Sequence, residues 1–312
     1  MKIYITIDGG TTNTRVSIVK DRKAADTVKL PYGAKAGIEN SKLLKNGIRD
    51  AVSRLLESHC VKSSDVECIL ASGMITSEFG LYNLAHIETP AGIAELNSAA
   101  KRVYLPEICD IPFVFLCGVK TGCDSLHTTD MMRGEETELF GLCDEIEPDC
   151  AYLLPGSHSK LIFTDSLGRI SSFTTFLTGE MAAALSGDTI LKDSVFLDCG
   201  HTESEYLFSG YEYCRKYGIN ESLFKARILK NIFSLGKEEI YSFFMGAVLE
   251  GEISRVIESG VKKITVGGKK QLREQSVLLL KKYSGALITD AGEDAVQSSV
   301  INGMIKIYEY RQ

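Results

Sequence analysis

Three stretches gather the residue types that phosphate and proton chemistry require. The first is Asp8-Gly9-Gly10-Thr11-Thr12-Asn13, at the end of the apolar run Ile3–Ile7. Two glycines let a backbone turn sharply and approach a ligand closely. Successive N–H groups and hydroxyls then converge on one spot, which suits a phosphate. An aspartate at a strand end can hold Mg2+, directly or through water. A type I′ hairpin explains the same residues, since Asp-Gly and Gly-Gly favour such turns, and the segment alone leaves both readings open. The second stretch is Pro155-Gly156-Ser157-His158-Ser159-Lys160, whose glycine, hydroxyls and lysine can embrace a phosphate chain. Pro-Gly-Ser is also common surface punctuation, and His158 matters only through this loop. The third is Arg133-Gly134-Glu135-Glu136-Thr137-Glu138-Leu139-Phe140-Gly141, which opens a helical pattern. Acidic residues in a first turn complement the helix dipole without any further role. The functional alternative is a general base, because an alcohol attacking a γ-phosphate must give up its proton as the bond forms. Arg133 beside it can neutralise a phosphate or a substrate carboxylate, or make an ordinary surface salt bridge.

Two further turns are weaker signals alone. Val266-Gly267-Gly268 ends a strand and starts a helix, where glycines either admit an adenine ring or simply make the turn. Ser72-Gly73-Met74-Ile75-Thr76-Ser77 follows another strand and reads as a sugar-pocket lining or as a helix start. The sequence contains no G-x-x-x-x-G-K-[ST], which disfavours a Walker A NTPase, and no G-x-S-x-G, H-E-x-x-H or zinc-type cysteine spacing.

The elements that must position these residues repeat. Ile3–Ile7, Val16–Lys20 and Asp26–Leu30 read as an antiparallel meander around the first loop. A helix is expected over Ser41–Glu57, with Ser41 as its N-cap, then strands at Glu67–Ala71 and Pro112–Cys117. The second half opens in the same way, with strands at Ala151–Leu154, Leu161–Thr164 and Arg169–Leu177. Helices follow, the clearest stripe being Ile240, Phe243, Phe244, Ala247 and Val248, then strands at Lys263–Val266 and Ala286–Thr289 and a last helix from Glu293 to Tyr310. The pattern predicts a duplicated α/β architecture. Domain I is expected over 1–130 and domain II over 131–292, with helix 293–312 returning to the first. The polar stretch Gly118–Arg133 is the expected boundary.

With 312 residues, 44% apolar and 24% charged, the chain has ordinary globular composition for about two domains. Its net charge of −6 argues weakly against nucleic acid or an anionic membrane as main partner. Nine cysteines, Cys123 among them, form no C-x-x-C pair and read as reduced thiols. No signal peptide and no apolar run of about 18 residues is visible, so a cytoplasmic protein is expected.

Taken together the motifs resemble the actin/hexokinase/heat-shock-ATPase superfamily: a D-G-G-T-T loop, a carboxylate helix, a second phosphate loop, and a V-G-G turn, in that order. More specifically the chain resembles 2-dehydro-3-deoxygalactonokinases. Met132-Arg133-Gly134-Glu135-Glu136-Thr137 matches that family's M-R-G-E-E-T, Pro155–Lys160 its P-G-T-H-x-K with Ser for Thr, Thr178-Gly179-Glu180 its T-G-E, and Ser72-Gly73-Met74 its small-Gly-Met turn. The resemblance spans nearly the whole chain. Two positions depart: Gly9 and Leu161 stand where family members usually carry cleft-lining tryptophans, and this chain has none.

The resemblance implies duplicated actin-like (ribonuclease H-like) ATPase domains around an interdomain nucleotide cleft. It implies an ATP- and Mg2+-dependent kinase acting on the terminal hydroxyl of a 2-keto-3-deoxy sugar acid. Glu135 is then the expected base, Glu136 the reserve, and Arg133 its catalytic neighbour. Asp8 holds the metal. Gly10, Thr11, Thr12, Asn13, Gly156, Ser157, His158, Lys160, Thr178, Gly179, Gly267 and Gly268 hold nucleotide. Arg15, Gly73, Met74, Thr76 and Ser77 face the sugar acid. An amino-sugar kinase of the N-acetylglucosamine type and a non-catalytic actin-like regulator are the alternatives, and the oligomeric state stays open, a homodimer included.

Overall fold

The computed structural model describes residues 2–39, 41–122 and 124–310; Cys123 and the side chain of Ser41, with its expected capping role, lie outside what it describes. The chain opens with β1 (Ile3–Gly9), β2 (Thr14–Lys20) and β3 (Lys23–Leu30), then α1 (Ala34–Glu39), α2 (Ser41–Ser58) and β4 (Val66–Gly73). Next come β5 (Ile87–Glu88), α3 (Ile93–Ala99), β6 (Lys101–Val103), β7 (Phe113–Phe115), β8 (Val119–Lys120), β9 (Met131–Met132) and α4 (Glu135–Leu142). The second half runs β10 (Ala151–Leu154), β11 (Ser159–Thr164), β12 (Ile170–Phe176), α5 (Thr178–Asp188), α6 (Ser204–Tyr217), α7 (Ile219–Asn231) and α8 (Lys237–Ser259). It ends with β13 (Lys263–Val266), α9 (Lys270–Tyr283), β14 (Leu287–Asp290) and α10 (Glu293–Glu309).

Two compact units result. One comprises 1–149, 164–172 and 292–312, the other 150–163 and 173–291. The segment 131–149, with α4, therefore clusters with the N-terminal elements, as does α10. The main sheet of the first unit has the order β3-β2-β1-β4-β7-β6, and the sheet of the second β12-β11-β10-β13-β14. Each is a meander continued by parallel strands, and in the first unit β6 closes the sheet antiparallel to β7. The expected meanders are present, and β1 and β2 run further than the apolar pattern indicated. Asp8 and Gly9 are in the strand, and the first loop shrinks to four residues.

Burial explains the strand types. Ile3–Ile7 is buried throughout, as a central strand covered on both faces requires. β3, with Lys23, Asp26 and Lys29, is mostly exposed and forms the edge. In the second unit α8 is buried along nearly its whole apolar length, and Ile240, Tyr241, Phe244, Met245, Leu249 and Ile253 join its core. Among the described residues no helix is long and apolar enough to cross a membrane.

The return of α10 fixes α4, the helix that carries the paired glutamates. The two helices cross through glycines. A Cβ at Gly303 would lie 1.8 Å from Thr137 O, and one at Gly141 would lie 1.7 Å from Ser299 O. These are backbone-to-backbone contacts that leave no room for a methyl group. Gly303→Ala is therefore expected to force α10 off α4. Overpacking of this kind costs about 1–3 kcal/mol, so Tm should fall by several degrees, as read by thermal unfolding. An unchanged Tm would contradict this packing.

Candidate active site

In the first unit the ends of β1 and β4 lie side by side, Asp8 opposite Ser72 and Gly9 opposite Gly73. Gly73 has φ +83°, and a Cβ there would sit 2.5 Å from Gly9 O. Gly134, the N-cap of α4, packs against Gly73 in turn, its own Cβ position 3.2 Å from the Gly73 Cα. Three backbones thus touch. The contact brings the carboxylates of Asp8 and Glu135 close enough to repel each other, and likewise those of Glu135 and Glu136.

Each carboxylate meets a different environment. Asp8 pairs with Arg15 at 3.0 Å. Burial raises its pKa, Arg15 lowers it, and Glu135 raises it, with a net upward shift. Glu135 is partly exposed at the first position of α4, and its Oε2 accepts from the Arg133 N–H at 3.0 Å. Glu136 is fully buried. Both its oxygens accept from Gly134 N–H, at 2.9 and 2.8 Å, and Thr137 Oγ1 donates to it at 3.2 Å. Burial, with Glu135 adding to it, pushes Glu136 up to about 8 against those hydrogen bonds.

Arg133 is a clamp. Nη1 donates to Thr76 O and Thr76 Oγ1 at 2.9 and 2.7 Å, and Nη2 donates to Leu84 O at 2.9 Å and lies 3.2 Å from His86 Nδ1. The two terminal amino groups thus hold the 76–86 segment. Burial, then Arg133 and Lys120, lower His86 to about 4, so the imidazole is neutral and accepts this bond. The hydroxyls of the 72–77 turn are also engaged locally. Thr76 Oγ1 donates to Gly73 O at 3.0 Å, Ser77 Oγ to Met74 O at 2.7 Å, and Ser72 pairs with Thr137 at 2.7 Å. What this turn offers outward is Met74, which is partly exposed.

In the second unit the Pro155–His158 turn joins β10 to β11. Its carbonyls are held from one side: Pro155 O by Lys269 N–H at 2.9 Å, Gly156 O by Gly179 N–H at 3.0 Å, and Ser157 O by Glu180 N–H at 3.1 Å. In a planar trans peptide the N–H points opposite to the C=O. The amides of Gly156, Ser157 and His158 therefore turn the other way. Gly156 N–H is taken by Ser159 Oγ at 3.2 Å, while Ser157 and His158 are exposed. Amides turned to one side of an exposed turn are the kind of donor that anion sites use. Lys269 Nζ donates to Ser157 Oγ at 3.2 Å, the Lys160 side chain lies buried beneath with Nζ 3.4 Å from His158 O, and His158 pairs with Glu180. Thr178 is buried, and it and Gly179 support the turn from behind.

The two loops are built alike. Gly10 O and Thr11 O accept from Ala34 N–H and Lys35 N–H at 3.1 and 3.0 Å, as Gly156 O and Ser157 O do from α5. Gly10 N–H donates to Asn13 O at 2.8 Å, where Gly156 N–H uses Ser159. Gly268, φ +71°, stands against Pro155 O with a Cβ distance of 2.3 Å, as Gly73 stands against Gly9 O. Thr11, Thr12 and Asn13 are exposed on the first loop. Gly73 and Gly268, assigned above to sugar and adenine, are thus equivalent positions of one repeat. Hydrogen bonds reveal this equivalence, which residue identity between the halves conceals. Sequence reading also missed Glu252, a buried carboxylate of α8 that bonds Thr178; its only signal was an acid amid the apolar residues of that helix.

The family described as 2-keto-3-deoxy-galactonokinase matches residues 8–304. A protein named "Probable 2-dehydro-3-deoxygalactonokinase" from Rhizobium meliloti (strain 1021) is 29% identical over 201 residues, 62% of this chain. The chain spans 59% of that relative's length. The 2-dehydro-3-deoxygalactonokinase of Escherichia coli (strain K12) is 24% identical over 260 residues, 80% of this chain and 79% of the relative. A solved candidate 2-dehydro-3-deoxygalactonokinase from Sinorhizobium meliloti has a TM-score of 0.78 at 21% identity, covering 99% of this chain and 98% of that one. The activator of the 2-hydroxyisocaproyl-CoA dehydratase from Clostridium difficile, solved with bound ADPNP, has a TM-score of 0.51 at 11% identity, covering 98% and 95%. At these identities the structural likenesses concern the fold, which is the actin-like ATPase α/β architecture.

The buried glutamate has a pH signature. The pKa of Glu136 is near 8 in the folded chain and near 4.5 unfolded, so between those values the folded state holds a proton that the unfolded state has released. Stability must then fall as pH rises from about 5 to 8. In Glu136→Gln this contribution is absent, and urea unfolding across that range should show a slope shallower by up to one proton. Identical slopes for the two proteins would show that Glu136 does not titrate in this way.

Proposed function

Because the chain belongs to the 2-keto-3-deoxy-galactonokinase family, we propose that it transfers the γ-phosphate of ATP to the terminal 6-hydroxyl of 2-dehydro-3-deoxy-D-galactonate or a close epimer. The observation that carries this reading is the family match over residues 8–304. ATP is the phosphoryl donor that this kinase family and the site chemistry call for. Each unit carries one candidate phosphate loop, Gly10–Asn13 in the first and Gly156–Lys160 in the second. We take the working compartment to be the cytosol, and the eight described cysteines, all free thiols, support that.

In this reading Glu135 is the general base. It is partly exposed where Glu136 is fully buried with both oxygens engaged, which favours it over its neighbour. The Arg133 N–H on Oε2 orients the carboxylate. Arg133 itself supports the site by clamping the 76–86 segment, which leaves Arg15 as the better candidate for the substrate carboxylate. Its guanidinium is well exposed beside Asp8.

The residues present also fit Mg2+. Among the described residues no group of three or more His, Cys, Asp or Glu gathers as a metal cage, and Mg2+ is usually held by one or two carboxylates with phosphate oxygens and waters. Asp8, with a raised pKa and Glu135 close by, is a carboxylate that a cation would stabilise. When bound, Mg2+ would supply neutralisation of phosphate charge.

Two measurements test the reading. Glu135→Gln keeps size and hydrogen bonding and removes the base, so kcat should fall about 10²–10⁴-fold with little change in KM for ATP. Near-normal turnover would remove this carboxylate from the mechanism. The second compares kcat/KM for the sugar acid with galactose, glucose and N-acetylglucosamine. Only the acid brings a carboxylate that can add a charge-assisted bond to Arg15, so the acid should be preferred. A neutral sugar that matched it would refute the substrate assignment and leave the kinase assignment standing.

A further inference from the structure

α8 packs an acid against the second phosphate loop. Glu252 is 1% exposed, on a helix whose neighbouring positions are Val248, Leu249, Ile253 and Val256. Burying a carboxylate in such surroundings is costly unless it is fully hydrogen-bonded, and Glu252 is not. Its Oε2 accepts from Thr178 Oγ1 at 2.7 Å, while Oε1 has no partner. Ser276 Oγ on α9, which faces the same carboxyl, has none either. As a stability device this arrangement is a poor one, so its use must lie in what the carboxyl touches.

It touches both supports of the turn. Thr178 opens α5, and the next two amides of that helix hold Gly156 O and Ser157 O. Ser159, fully buried, also faces the carboxyl, and its hydroxyl takes the N–H of Gly156. We propose that Glu252 is a positioning residue for the Pro155–Ser159 turn, fixing through Thr178 and Ser159 the two supports that set the turn's affinity for nucleotide phosphates. The inference rests on the reading of that turn as a phosphate loop.

The carboxyl's chemistry gives this role a signature that mere packing lacks. Burial pushes Glu252 up to about 7, against hydroxyls that favour its ionised form: Thr178 on α5, Ser159 on β11 and Ser276 on α9. Three charged side chains of these elements engage other groups. Glu180 pairs with His158, Lys160 Nζ lies 3.4 Å from His158 O, and Arg273 pairs with Asp290 at 3.0 Å. A proton on the carboxyl removes negative charge from beneath a loop that must receive phosphates. Phosphate binding and protonation of Glu252 therefore favour each other, and by linkage ATP affinity weakens as pH rises through about 7.

The test measures ATP affinity by calorimetry, and KM for both substrates, from pH 6 to pH 8.5 for the wild-type chain and Glu252→Gln. The ratio of the two affinities cancels the nucleotide's own protonation. It should be near one at pH 6 and rise to about three- to tenfold in favour of the glutamine variant at pH 8.5, since one unit of pKa change corresponds to tenfold. KM for the sugar acid should not move. Thr178→Val, which deletes the hydroxyl and leaves the acid, should weaken ATP several-fold at every pH, again without changing KM for the acid; it also serves if the glutamine variant folds poorly. A ratio independent of pH, or an unchanged ATP affinity in Thr178→Val, overturns the proposal. Ser157→Ala and Lys160→Met separate this from the underlying reading. If neither weakens ATP, the phosphate-loop reading itself has failed; if both do and the Glu252→Gln ratio stays flat, only the positioning role has.

Discussion

A left-handed glycine pressed against a carbonyl recurs at the heart of each unit. Gly73 meets Gly9 O, and Gly268 meets Pro155 O, each with room for a hydrogen and no more. Gly73 ends the parallel strand β4 and Gly268 lies two residues beyond the end of β13; Gly9 ends β1, and Pro155 opens the turn after β10. A Cβ at either place would collide with backbone and would also force a side chain into a region costing about 1–2 kcal/mol per residue. The constraint sets the height of the loop above its sheet. In the first unit it also sets the place of α4, because Gly134 rests on Gly73. Asp8, Glu135 and Glu136 are neighbours as a consequence of that stacking, with α10 closing from the other side through Gly303.

Much of this was legible in the sequence, because strands and loops are specified locally. The run Ile3–Ile7 before Asp-Gly-Gly, and Ala151–Leu154 before Pro-Gly-Ser, declared both hairpins, and the repeated meander declared the duplication. The M-R-G-E-E-T segment declared the family, which the match over 8–304 bears out. What stayed hidden depends on contacts distant in sequence. Nothing near Arg133 says that its guanidinium holds Thr76 and Leu84. Thr76 and Ser77 look like free hydroxyls until their bonds to Gly73 O and Met74 O are seen. Glu252 reads as a stray acid in an apolar helix until α5 is laid against it.

The missing tryptophans have a structural counterpart. A Cβ at Gly9 would lie 2.6 Å from the Ile75 Cβ and 2.8 Å from Ile75 N, so the position is closed by the turn after β4. Leu161 is fully buried within β11. At Gly9 the backbone of Ile75 leaves no space for a larger side chain. The wall nearest the first loop is instead aliphatic, built on Ile75 and the partly exposed Met74.

Charge is distributed unequally between the two loops, and this suggests how an overall acidic chain can receive polyanions. The second loop carries Lys160 beneath it and Lys269 beside it. Its nearest buried acid, Glu252, is pushed towards the neutral form by burial. The negative charge beneath the loop's outward amides is therefore smaller near neutral pH than an ordinary carboxylate would place there. The first loop is flanked by Asp8 and Glu135, with Arg15 the one cation paired to Asp8 among the described ion pairs. Such a site attracts a cation more readily than a bare phosphate. Coulomb attraction in a poorly hydrated turn acts over a few ångströms, while the charge of the remaining surface is screened beyond about 8–10 Å at ordinary ionic strength. A net charge of −6 is thus no obstacle to the phosphate binding proposed for these loops: on that proposal the second loop would hold phosphate directly and the first through a cation, each according to the acids its own backbone contacts bring near.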